Sequence, residues 1–66
     1  GPADKALLDL LNEGRITAPY ASKETGYNLQ YVRDRLSRFV EHGHVKKLYE
    51  GLYELVNDPR KDENKR

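Results

Sequence analysis

Apolar residues return at helical spacing from the start of the chain. In "DKALLDLLNE", residues 4 to 13, Ala6, Leu7, Leu10 and Leu11 share one face and Leu8 lies beside them. Asp4 is placed to cap this first helix, and Gly14 to end it. "RIT", residues 15 to 17, is too short for a helix and holds a β-branched pair, so it reads as a brief strand or bridge. "TAPYASKETG" begins a second helix, with Thr17 as N-cap, Pro19 in the first turn, where its missing N–H is harmless, and Gly26 as the left-handed stop. Tyr27 is the apolar residue of the turn that follows.

Asn28 then caps a third helix, expected over residues 29 to 42. Leu29, Val32, Leu36, Phe39 and Val40 recur at spacings of three and four and form a single stripe, and Gly43 ends the helix. Beyond it the period changes. Val45, Leu48, Tyr53 and Leu55 mark two short strands around "YEGL", with Gly51 supplying the positive φ of a hairpin turn. The hairpin spans 45 to 56. No apolar residue follows Val56, so residues 57 to 66, "NDPRKDENKR", are expected to bury nothing and to form a disordered charged tail whose loss leaves stability nearly unchanged. Gly1-Pro2 reads as the scar of a protease cut, which leaves residues 3 to 56 as one domain.

A chain of 66 residues holds one small core. It has no cysteine, hence no disulfide and no thiolate metal site; this fits a reducing, cytoplasmic setting. No apolar run approaches the roughly 20 residues of a membrane span, so no membrane partner is expected. The net charge of +1 conceals an uneven distribution. Residues 23 to 51 carry Lys23, Arg33, Arg35, Arg38, Lys46 and Lys47 against Glu24, Asp34, Glu41 and Glu50, whereas the first helix is acidic. A basic middle suits a polyanion.

The succession helix, short strand, helix, tight turn, helix, hairpin resembles the winged helix-turn-helix family over residues 4 to 56. "YASKETGYNLQYVRDRLSRF" matches the helix-turn-helix, "VEHGHV" the link and "KKLYEGLYELV" the wing. The likeness is strongest to small archaeal and archaeal-virus regulators of the phage-repressor-like or MarR-like kind. It implies an α+β fold of three helices with a small antiparallel β-hairpin wing. It also implies sequence-specific binding of double-stranded DNA, as a transcriptional regulator or repressor, with helix 29 to 42 in the major groove. The chain departs from the family at Ala21, where a larger aliphatic is usual, at Ser22, where Ala is usual, and at Thr25, where Leu is common. The second helix is therefore expected to add little to the core, with Tyr20 or Tyr27 filling the gap.

The helical phase sets Gln30, Tyr31 and Asp34 opposite the buried stripe, Arg33 and Ser37 on one flank and Arg35 on the other, with Arg38 and Glu41 continuing the exposed line. Gln and Arg bond adenine and guanine bidentately in the major groove, and Tyr31 suits a thymine methyl or a phosphate; Asp34 repels phosphate, but can orient Arg33 or Arg38 or accept from cytosine N4. Gln30, Tyr31, Arg33 and Asp34 are thus the base-reading candidates. Thr17, Tyr20, Lys23, Asn28, Ser37, Arg38, Lys46, Lys47 and Tyr49 are the candidates for holding phosphate. His42 and His44 flank a glycine without a third well-spaced ligand, so no metal and no cofactor are expected. No nucleophile–base set and no phosphate loop are visible, which argues against an enzyme.

Double-stranded DNA is the expected partner, and a homodimer, formed on DNA, is left open. The alternative is a winged helix that serves as a protein-contact module in a larger assembly. Residues 3 to 56 keep that alternative standing, because they carry eight basic and eight acidic side chains. Arg60, Lys61, Lys65 and Arg66 take four of the chain's 12 basic residues, and Asp58, Asp62 and Glu63 take three of its 11 acidic ones.

Overall fold

A computed structural model describes residues 1 to 64. Its elements are α1 (Pro2–Glu13), β1 (Ile16–Thr17), α2 (Ala18–Thr25), α3 (Leu29–Glu41), β2 (Val45–Tyr49), β3 (Leu52–Leu55) and a closing 3-10 helix (Pro59–Asn64). The three strands form one antiparallel sheet in the order β1-β3-β2. The brief strand expected at residues 15 to 17 is therefore a member of this sheet, with Ile16 opposite Tyr53 and Thr17 opposite Leu52.

Local chemistry sets most of the boundaries. Thr17 Oγ1 accepts the Tyr20 N–H at 3.1 Å, and Asn28 Oδ1 accepts the Tyr31 N–H at 3.2 Å. Each hydroxyl or amide oxygen satisfies a donor that the first helical turn leaves without a partner. Gly26, at φ 80°, takes the left-handed conformation that closes α2. At α1 the expected cap is not used. The helix starts at Pro2, ahead of Asp4, and Asp4 accepts both arms of the Arg35 guanidinium, at 2.8 and 2.7 Å. A two-pronged, charge-assisted bond between α1 and α3 outweighs a single capping bond.

Leu7, Leu8 and Leu11 of α1 meet Val32, Leu36 and Phe39 of α3 over Ile16, Val45 and Tyr53 of the sheet. Burying each such aliphatic side chain stabilises the fold by roughly 1.5–3 kcal/mol. The expectation that α2 adds little to this core is corrected. Ala18 and Ala21 are completely buried, and their small side chains let α2 pack closely against its neighbours. Tyr27 packs on the core from the turn, while Tyr20 stays 46% exposed and fills no gap. Leu48 is also outside: the β2–β3 register slips between Lys47 and Tyr49, and Leu48 bulges from the ladder into solvent.

The segment expected to bury nothing does bury something. Asp58 is 4% exposed, and its carboxylate accepts from the Arg60 backbone N–H, the Arg60 guanidinium and Asn12 Nδ2 of α1. Arg60 reaches on to Asp9 at 2.8 Å. The Arg60 guanidinium holds the Asp58 carboxyl well below the usual aspartate range, outweighing its burial. The expectation failed because it counted apolar residues, and this segment is held by a polar anchor. Lys65 and Arg66, from the same expected tail, lie outside the described residues.

Candidate nucleic-acid interface

Because α3 commits Val32, Leu36 and Phe39 to the core, its outward residues are set by phase. Gln30, Tyr31, Arg33, Asp34, Ser37 and Arg38 are all exposed. They are not equivalent. The Gln30 amide donates to Asp34 Oδ1 at 3.1 Å, and Arg38 meets Glu41 at 3.6 Å. Both contacts follow the helix's own repeat and, being exposed, are weak. Tyr31 leans toward the start of α1: its ring packs on Tyr27 with centroids 5.9 Å apart, and it borders a hollow with Pro2, Asp4 and Arg35.

Arg33 lies on the other flank, toward the hairpin, in a groove of about 360 Å³ lined by Thr17, Pro19, Arg33, Glu50 and Gly51. Three elements meet there because the hairpin turn is tied to α2. The Ala18 N–H donates to the Gly51 carbonyl at 3.2 Å, and Gly51 reaches the required geometry at φ 68°. Arg15, Arg35, Arg38 and Arg60 each contact a carboxylate. Arg33 has none among the described residues, so all of its donors are free for a ligand.

The phosphate candidates are spread over the surface. Thr17 lies in the Arg33 groove, but the start of α2 has no spare backbone donors there. The Ala18 N–H is given to Gly51, Pro19 has none, and the Tyr20 N–H is given to Thr17. The Thr17 hydroxyl proton is the donor left for a ligand. Tyr20 belongs to a separate hollow, with Leu10, Glu13 and Arg15, and is not gathered with Arg33. Asn28 already uses its carbonyl oxygen as a cap. Lys46 is 3.8 Å from Glu54, which also holds Arg15. Lys23 and Lys47 are exposed and carry no ion pair among the described residues, and Tyr49 is 75% exposed beside the hairpin turn. His42 and His44 stack with ring centroids 6.2 Å apart. Among the described residues no group of three or more metal-ligating side chains gathers.

Sequence reasoning missed Glu50 as a wall of the groove. A carboxylate one position before a turn glycine carries no local mark of what it will face, and only the tie between the turn and α2 brings it to Arg33. No helix among the described residues is long and apolar enough to cross a membrane. Comparison with protein-family models, with curated proteins and with solved structures gave no match for this chain.

Proposed function

We propose that the chain is a winged helix-turn-helix module that binds double-stranded DNA sequence-specifically and regulates transcription, as a repressor or a related factor. In this reading α3 enters the major groove, the β2–β3 hairpin is the wing, and the chain binds without catalysing a reaction. One observation carries it: among the described residues Arg33 is the arginine left without a carboxylate, on the outward side of α3 beside the hairpin turn. A free guanidinium on a helix of this width matches the O6 and N7 acceptors of guanine. Lys47 on β2 and Lys23 on α2, both without ion pairs among the described residues, suit the flanking phosphates.

Duplex DNA should shift the amide signals of residues 28 to 38 and 46 to 51, with an affinity that falls steeply as salt rises. Selection of bound sequences from random duplexes should return a preferred site. Inverted repeats among the selected sites would mean two copies pairing on DNA. The second reading, a protein-contact module, draws on the Gln30–Asp34 and Arg38–Glu41 contacts, which occupy much of the outward face of α3 internally. It becomes the better account if duplex DNA moves none of these signals at low salt.

A further inference from the structure

Arg33 and Glu50 come from different elements yet line the same groove. The Glu50 backbone is fixed there, because the neighbouring Gly51 carbonyl accepts the Ala18 N–H. The two side chains do not pair: among the described residues Arg33 has no carboxylate at ion-pair distance, and Glu50 has no cation. The groove is thus lined both by a guanidinium with free donors and by a carboxylate that no cation among the described residues pairs with.

A duplex offers such a guanidinium two kinds of acceptor. One is a phosphate, which is anionic; the other is the O6/N7 edge of guanine, which is neutral. The neighbouring carboxylate treats them differently. For two unit charges several ångströms apart near a protein surface, such repulsion corresponds to roughly a three- to tenfold loss of affinity, whereas a neutral base edge escapes most of it. We propose that Glu50 is a specificity-determining residue, which keeps the DNA backbone away from Arg33 and leaves the guanine edge as its ligand. This inference rests on the DNA-binding reading and adds a claim of its own: Glu50 acts through what it rejects.

Glu50→Gln removes the charge and keeps the shape of an exposed side chain; a thermal melt verifies the fold. Dissociation constants are measured on a selected duplex and on random duplexes of equal length, across a salt series. The proteins are the wild type, Glu50→Gln, Arg33→Ala and the double variant. On random DNA, Glu50→Gln is expected to bind about three- to tenfold more tightly, with a salt slope steeper by about one unit, as Arg33 takes a phosphate. On the selected duplex it gains much less, so the ratio of the two affinities falls. In the Arg33→Ala background most of the gain disappears. The proposal is overturned if Glu50→Gln tightens both kinds of duplex equally, if it changes neither, or if its gain persists undiminished without Arg33. If the wild type binds no duplex, the DNA-binding reading fails, and this proposal with it; if the wild type binds and the four proteins do not diverge as described, only this proposal fails.

Discussion

Replacing Asp58 by Ala removes the anchor that fastens the last described segment to α1. The carboxylate accepts four contacts at 3.0 Å or less: Asn12 Nδ2 at 2.9 Å, the Arg60 N–H at 2.9 Å, Arg60 Nε at 3.0 Å and Arg60 Nη2 at 2.7 Å. The loss is smaller than the sum of four bonds, because Asn12 and Arg60 lie near the surface and recover water. A hydrogen bond to a charged group is worth about 1.5–3 kcal/mol net, so a cost of about 2–3 kcal/mol is reasonable for a carboxylate this buried. In a domain of this size each kcal/mol moves the melting temperature by about 4–8 °C, which gives a fall of roughly 8–24 °C. Thermal melts followed by circular dichroism at pH 7 read it directly. Removing residues 57 to 66 should cost at least as much. A variant that melts within about 2 °C of the parent would refute the argument and show that the carboxylate's contacts contribute nothing net.

The same anchor makes stability depend on pH. The folded Asp58 carboxyl lies below its ordinary value, so its contribution is complete above about pH 5 and is lost progressively as the pH falls below the ordinary aspartate range toward the folded value. In urea melts the gap between the wild type and Asp58→Ala should therefore be constant from pH 7 to about pH 5 and narrow in part by pH 3, and a gap unchanged at pH 3 would contradict the assignment. Leu36, with no exposed surface, should cost about 2–5 kcal/mol when cut to Ala, enough to threaten folding at 37 °C; a melt within a degree or two of the parent would mean that α3 is wrongly phased. Arg33→Ala should lose about 1–3 kcal/mol on the preferred duplex and relax preference at one base pair. Lys47→Ala should weaken preferred and random duplexes alike and lower the salt slope by about one unit, and equal losses from both variants on all DNA would remove Arg33 from base reading.

What the sequence made legible follows from the range of the forces involved. The phase of α3, the Thr17 and Asn28 caps and the Gly26 and Gly51 turns depend on residues within four positions of each other, and a local pattern contains them. The Asp4–Arg35 bond, the Asn12–Asp58 and Arg60–Asp9 contacts and the placing of Glu50 and Arg33 on one groove join residues far apart in the chain, and no spacing signals them. The second helix hides its contribution for another reason. Judged by side-chain size, Ala21, Ser22 and Thr25 promise little, but close approach of helices rewards small residues, and Ala18 and Ala21 are fully buried. The candidate site was legible as a face of α3 and only partly as a groove. Arg33, Thr17 and the hairpin turn converge, whereas Tyr20 and Tyr31 turn away to other hollows.

The bulge at Leu48 has a consequence for crowded solution. In the order β1-β3-β2, β2 is an outer strand whose far side is unpaired, the kind of row on which a second chain could add a strand and start aggregation. The register slip between Lys47 and Tyr49 breaks the regular spacing of that row, and Lys46 and Lys47 set positive charge along it. Two copies brought edge to edge about Lys47 would oppose like charges and find their backbone donors and acceptors out of step. The residues that leave this strand poorly packed as a sheet edge also keep it a poor template for its own copies.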